Sequence, residues 1–422
     1  MSTYSQLLRI ASVNKSGFVR EKAVREIIKT RDIESLKFIL FRLGDWVEPV
    51  RHTATGALRS FMKPEYISDF LNEISTIEWL LIVERVDLRV IQREIIEFML
   101  SQEFSEDFFN QINILNNRAR YWIFRNLLQK NHDPVYATYI YRFIQDKNFL
   151  IRLEILKQLA SFDESVQRQI IKNYLQDQSP AVRVSALYAS KKFAPEFDDT
   201  IVTMLSDNSI SVRDLCRRLL QSKGFDFAGV YRDRISKMEY LEGSFMGLSE
   251  MARETDLELF EQHIYSNKAK IVVASLAAIN KIDQQKAASY SFDLLAHSNN
   301  KVRNLAIEIV SKNFDRSALQ RVREIYANGE KELKELLLRL FDKVGSWVAV
   351  YNFLLAVTDK NEDIQKLGWR CLEKWKAKTV RLFTSPPREE VERVNQQFKE
   401  IEQRNFGYHQ KWFLQEIQSY FK

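Results

Sequence analysis

Apolar residues recur along this chain at the spacing of a helix surface, many times over and in one frame. Counted from a recurring frame position, apolar or small side chains sit at offsets +3, +4 and +7: Ala23, Val24 and Ile27; Ala54, Thr55 and Leu58; Ile155, Leu156 and Leu159; Ala306, Ile307 and Val310; Gly368, Trp369 and Leu372. At 100° per residue these offsets share one stripe, so each run predicts an amphipathic helix. The small residues at +3 let a second helix approach closely. Between the runs lie further amphipathic segments, such as Ile33–Leu43, Ser165–Leu175, Thr200–Leu205, Ala318–Tyr326 and Trp347–Val357. Ser179-Pro180 reads as an N-cap followed by Pro at the first helical position, and Asp163 and Asp315 stand at similar starts. Period-two alternation is scarce. The pattern predicts an all-α chain with two helices per unit.

The frame position itself is usually Arg, preceded by a branched apolar residue and, six residues back, by Asp or Asn. The clear copies are Asp45…Val50-Arg51, Asp146…Ile151-Arg152, Asp177…Val182-Arg183 and Asp207…Val212-Arg213; weaker ones are Asn14…Val19-Arg20, His297…Val302-Arg303, Asn328…Lys334 and Asp359…Gln365. Ser266…Val272 keeps the frame without the Arg, and Arg89 and Arg120 fit only by the residues on their C-terminal side. Frame positions 20, 51, 89, 120, 152, 183, 213, 272, 303, 334 and 365 are mostly 30 to 32 residues apart. The step of 59 after position 213 holds a degenerate unit near 225–260, centred on Leu241–Leu248. The step of 38 before Arg89 is either an insertion or a misassigned frame. The chain therefore holds about twelve units, and self-similarity at this period is the mark of a solenoid.

Two-helix units of about 31 residues, with Asp-x5-Arg and Val or Ile before the Arg, resemble HEAT repeats, and the short unit is similar to the HEAT-like repeats of phycobilin lyases. The resemblance covers roughly residues 4–380. It implies a right-handed α-solenoid (an α-α superhelix) of about twelve repeats over residues 1–384. It further implies a ladder in which frame arginines pair with the turn aspartates, and a concave side lined by the second helix of each unit. It says little about activity, because this architecture serves many functions.

After Leu382 the pattern changes. Ser385-Pro386-Pro387 is a breaker and a new helix start, Val391, Val394, Phe398 and Ile401 form a seam at spacings of 3, 4 and 3, and Gly407 reads as a C-cap. A last amphipathic helix carries Trp412, Phe413, Ile417, Tyr420 and Phe421. Residues 385–422 are expected to be a helical hairpin that caps the final repeat, with a dimerisation or docking helix as the other reading.

Composition narrows the classes. The chain has 422 residues, 45% of them hydrophobic, with Gly 11 and Pro 7, which excludes disorder and disfavours an all-β fold. Two cysteines, Cys216 and Cys371, give no disulfide framework and fit a reducing compartment. No apolar run reaches the length of a membrane span, and Met1–Ile10 shows no apolar signal core, so the expected location is cytoplasmic.

Chemistry-bearing motifs are sparse. His52, His132, His263, His297 and His409 stand at no recognised metal-ligand spacing, and phosphate-cradling glycine motifs and a Gly-x-Ser-x-Gly elbow are absent. Gly224, Gly229, Gly243 and Gly247 surround the degenerate unit and suggest a bend or tight packing. Cys216 and Cys371 fall on packing offsets and read as inert thiols. No metal, cofactor or catalytic residue is assigned, and the chain reads as non-enzymatic.

The charge is more informative once sorted by helical offset. There are 63 Lys plus Arg against 56 Asp plus Glu, a net charge of +7. The frame arginines lie on the packing stripe and must be paired, since an unpaired buried charge is costly. Offsets +5 and +9 lie opposite. They hold Arg25, Arg125, Lys157, Arg218, Arg339 and Arg370 at +5, and Lys29, Lys192, Lys281, Lys312, Lys343 and Lys374 at +9, with Glu94 and Glu308 the acids. The helix dipole favours Lys at +9 but does not explain +5. These twelve residues are the candidate partner-binding stripe along a basic inner groove. An acidic protein or peptide is the expected partner. The alternative is a nucleic-acid backbone, and in its sharpest form a HEAT-like alkylpurine DNA glycosylase, a family similar in architecture and basic concavity but shorter, whose catalytic residues match no positions here. A lyase-like enzyme rests on repeat type alone.

Overall fold

The computed structural model describes residues 3–101, 112–129, 140–312, 314–379 and 382–422, and among these no strand occurs. The chain divides into two compact units, Met1–Asp198 and Asp199–Lys422. Each is a length of HEAT-like α-solenoid. The frame-bearing second helices are Gly17–Thr30, Glu48–Phe61, Arg89–Met99, Asn117–Leu128, Phe149–Lys157 and Pro180–Ser190 in the first unit. In the second they are Ile210–Leu220, Leu241–Glu250, Ala269–Ile282, Asn300–Lys312, Lys331–Val344 and Glu362–Thr379. Counterparts in successive repeats touch, as Gly17–Thr30 does Glu48–Phe61, Phe149–Lys157 does Pro180–Ser190, and each helix from Leu241–Glu250 to Glu362–Thr379 does the next.

The predicted stripe is the core. Ala23, Val24, Ile27, Ala54, Leu58, Ile155, Ala306, Val310 and Leu372 are all buried. Thr55 and Trp369 are half-buried. First helices sit where the second amphipathic segments predicted them, for instance Glu164–Tyr174 and Arg316–Asn328; Asp315 caps the latter by accepting from the Ala318 N–H at 2.7 Å. Ser179 holds the N-cap position with Pro180 following, and no hydrogen bond forms from its side chain.

The turn aspartate and the frame arginine have distinct jobs that repeat along the chain. The Asp carboxylate accepts the N–H two residues on: Val47 to Asp45 at 3.0 Å, Asn148 to Asp146, Ser179 to Asp177 and Ser209 to Asp207 each at 2.7 Å, and Asn361 to Asp359 at 2.9 Å. Asn14 and His297 do the same with a different acceptor atom. This local bond closes the interhelix turn. The frame arginine donates Nη1 to the carbonyl six residues back, at 2.8 Å for Arg20, 2.5 Å for Arg152, 2.6 Å for Arg183 and 2.7 Å for Arg303; Gln365 keeps that bond at 2.7 Å without a charge. The carboxylate partner belongs to the following repeat. Arg20 meets Asp45, Arg120 meets Asp146, Arg152 meets Asp177 and Lys334 meets Asp359, at 2.6 to 3.2 Å. One guanidinium thus staples two successive turns.

The two irregular steps have structural causes. Arg89 is the first residue of its helix, 76% exposed at the side chain, and pairs with Asp87 next to it. The buried frame position of that repeat is Gln92, which donates to the Ile77 carbonyl, with Ile95 and Met99 at +3 and +7. Arg89 was the misassigned frame. The long step holds a full repeat, Phe227–Ser236 with Leu241–Glu250, in which Glu250, at the end of the second helix, is the carboxylate that receives both Arg213 and Arg217. Gly243 and Gly247 are close-packing positions: a Cβ would meet the Ser206 carbonyl oxygen at 1.7 Å and the Tyr231 ring at 2.4 Å.

After the last repeat, Arg388–Glu402 packs on the first helix Val350–Val357, while Tyr408–Ser419 brings Phe413 against Trp369. The terminal Phe421 stacks on Trp375 and meets Trp347 edge-on. The seam is used inward, with Val394, Phe398 and Ile401 buried. Pro387 rather than Ser385 is the N-cap. Gly407 is not a C-cap; its φ is −63° and it opens the last helix.

Candidate functional site

All twelve stripe residues are exposed: Arg25, Lys29, Arg125, Lys157, Lys192, Arg218, Lys281, Lys312, Arg339, Lys343, Arg370 and Lys374. The packing of the second-helix layer forces this, since offsets +5 and +9 lie opposite the buried stripe. Their electrical surroundings differ along the chain.

In the first unit the stripe is matched nearly charge for charge. Arg25 pairs with Glu21 at 2.6 Å, Lys29 with Glu26 at 2.7 Å and Lys157 with Glu154 at 2.6 Å; Lys192 lies 3.7 Å from Glu164. Arg59 pairs with Glu94 on the same layer. Arg125 takes part in no ion pair among the described residues. At the start of the second unit Arg218 pairs with Asp214 at 3.0 Å, and Lys281 donates to the Ser249 and Glu250 carbonyls. Such exposed pairs add little stability, but they cancel the field a partner would feel.

The last three repeats differ. On Asn300–Lys312, Lys331–Val344 and Glu362–Thr379, the basic residues Lys312, Arg339, Lys343, Arg370, Lys374 and Lys378 face only Glu308 and Asp342 in ion pairs or close charge contact. Hydrogen bonding and charge from Lys312, and then the charge of Lys343 on the neighbouring helix, hold the Glu308 carboxyl below its usual range. Lys374 and Lys378 share Asp342 across the helix boundary at 3.5 and 3.3 Å. Arg339, Lys343 and Arg370 form no ion pair among the described residues. The three helices also carry Glu332, Glu335, Glu362, Asp363 and Glu373, but Glu308 and Asp342 are the carboxylates that contact these six cations among the described residues, which leaves a local basic surplus around them. Lys378 was not on the predicted stripe; it lies at offset +13, and only the length of Glu362–Thr379 brings it onto the face.

Cys216 and Cys371 are buried, and burial pushes their thiols up to about 12 and about 11. No three His, Cys, Asp or Glu side chains converge as a metal would require, among the described residues. His263 sits against Phe245, His52 and His409 are exposed, His297 is half-buried, and His132 lies outside the described residues. No helix is long and apolar enough to cross a membrane, among the described residues.

No protein-family model matches the chain, and no curated protein matches it. Among solved structures, Kap95p in a complex with RanGDP matches at 12% identity and a TM-score of 0.40, covering 100% of this chain and 66% of that one. The karyopherin Kap121p bound to the extreme C-terminus of the protein phosphatase Cdc14p matches at 12% identity and a TM-score of 0.34, covering 93% of this chain and 51% of that one. An engineered protein matches at 12% identity and a TM-score of 0.26, covering 89% of this chain and 99% of that one. The chain thus spans half to two thirds of the karyopherins it resembles. These likenesses are remote and do not bear on what it binds.

Proposed function

We propose that this chain is a binding scaffold that holds an acidic segment of a partner protein against the second-helix layer of its last three repeats. The observation that supports this is the local surplus of Lys312, Arg339, Lys343, Arg370, Lys374 and Lys378 over Glu308 and Asp342. Neighbouring helix axes lie about 8–10 Å apart, so the three helices offer a basic patch on the order of 20 Å across. That suits a short peptide. A duplex, which carries a phosphate charge about every 1.7 Å, favours a longer unbroken basic track, and the ion-paired stretches from Arg25 to Arg218 do not provide one.

The test is fluorescence anisotropy of an eight-residue oligo-glutamate and of a labelled DNA duplex with the full chain at about 50 mM salt. Peptide binding should be lost in the triple variant R339E/K343E/R370E and kept in K29E/K157E. Duplex binding without peptide binding would overturn the reading in favour of a nucleic-acid backbone, and failure of both would remove the patch as a binding site.

A further inference from the structure

The basic patch does not end on polar surface. Tyr408–Ser419 meets Glu362–Thr379 through Phe413 on Trp369 and Glu416 on Lys376, and on it Tyr408 and Trp412 stand one helical turn apart and are 82% and 57% exposed. Residues at i and i+4 share a face, so the two rings form one aromatic surface. It is tied to the patch-bearing helix from below. Lys376 lies over the Trp412 ring at 5.4 Å and over Phe413 at 5.2 Å, and pairs with Glu416. Trp369, next to Arg370, is edge-on to Phe406 at 5.6 Å. The hairpin buries Leu414, Ile417 and Phe421 and leaves Tyr408 and Trp412 outside that core. Large exposed aromatics beside a charged patch are characteristic of a docking surface. Two carboxylates lie in this band, Glu373 and Glu416, and Glu416 is engaged by Lys376.

We infer that the aromatic ledge of Tyr408 and Trp412 is the apolar half of the docking surface, and that the partner is an acidic peptide carrying one large apolar side chain beside its acidic run. This rests on the proposed function. The charge complement is set by Arg339, Lys343, Arg370 and Lys374, and the anchor would lie over Trp412. From the outward arginine row to the ledge is about one helix spacing, roughly 10 Å. At about 3.4 Å per residue, an extended peptide covers this in about three residues. The partner motif is therefore an acidic cluster with Phe, Trp or Leu about three positions away. Stacking on Trp412 and burial of that side chain would add affinity that acidic residues alone cannot.

Two peptides of equal charge separate the parts, oligo-glutamate and the same peptide with Phe three residues beyond the acidic run. With the full chain, the Phe peptide is expected to bind roughly tenfold tighter, which is about 1.4 kcal/mol. Trp412→Ala should abolish that tenfold gain and leave oligo-glutamate binding unchanged, while R339E/K343E/R370E should abolish both. Since Trp412 is exposed, the helical circular dichroism of Trp412→Ala should match the parent; if it does not, Tyr408→Ser serves as the second variant. Equal affinity of the two peptides, or a gain that survives both substitutions, overturns the aromatic anchor while leaving the basic patch standing. Failure of oligo-glutamate to bind the parent, or binding that is unchanged in R339E/K343E/R370E, overturns both.

Discussion

Asp45 is the most heavily used carboxylate of the turn ladder, and its removal gives a defined prediction. Its oxygens accept from Arg20 Nε and Nη2 at 2.7 and 2.6 Å, from Arg42 Nη1 at 2.8 Å and from the Val47 N–H at 3.0 Å. Its side chain is 1% exposed and that of Arg20 is 8% exposed. Burial alone would raise the Asp45 pKa. The hydrogen bonds from Arg20 and Val47 and the charges of Arg20 and Arg42 outweigh it, so the carboxyl titrates below its usual range. Asp45→Ala leaves two guanidinium groups facing each other with no counter-ion and opens the turn. Breaking a buried pair by deleting one partner costs about 3–5 kcal/mol. A helical array unfolds in parts, so a single melting temperature is a poor readout. Amide hydrogen exchange resolved by repeat is better. At about 1.36 kcal/mol per decade, exchange from Gly17–Thr30 and Glu48–Phe61 should accelerate by two orders of magnitude or more, with the second unit unaffected. The pH dependence has a fixed sign. A lowered folded pKa contributes stability that is full above the unfolded value of about 3.9 and is lost as pH falls through the folded value. The parent should lose protection in these helices under that acid shift, and Asp45→Ala should lack this component. Asp87→Asn, at the exposed pair with Arg89, is the control. If Asp45→Ala changes exchange no more than Asp87→Asn does, the ladder is not what holds the repeats together.

Further outcomes rest on the same geometry. Gly243→Ala should disrupt the degenerate repeat, because its Cβ would fall 1.7 Å from a backbone oxygen that cannot rotate away; soluble full-length protein with unchanged thermal unfolding would contradict this. Cys216 and Cys371 should not react with a disulfide reagent at pH 8 in the native chain and should both react in denaturant. Phe421→Ala should cost about 3–5 kcal/mol and perturb the fluorescence of Trp347 and Trp375, whose rings it contacts; an unchanged emission spectrum would show that the last residues do not close the core.

Much of the architecture was legible in the sequence, because a helix buries every third or fourth residue and a solenoid repeats that demand at a fixed period. The stripe from Ala23 to Leu372, the paired helices and the structural role of the frame arginines all come from spacing. The local ion pairs were legible too, since Glu21, Asp214 and Glu308 stand four residues before Arg25, Arg218 and Lys312, and Glu26 and Glu154 stand three before Lys29 and Lys157. Other features needed the folded chain. The carboxylate that meets Arg20, Arg120 or Arg152 lies 25 or 26 residues on, in the next repeat, and the one that meets Arg213 lies 37 on. Gln92 displaces Arg89 as the frame residue because burial, rather than charge, defines the position. Lys378 meets Asp342, and Lys343 meets Glu308, only when two repeats stack, and Trp412 reaches Lys376 only because the terminal hairpin folds back on the last repeat. The sequence by itself determined which face of each helix is buried, a local matter of helical period. The tertiary structure decided which charges remain unanswered on the other face, because that depends on residues one repeat apart meeting across a helix boundary.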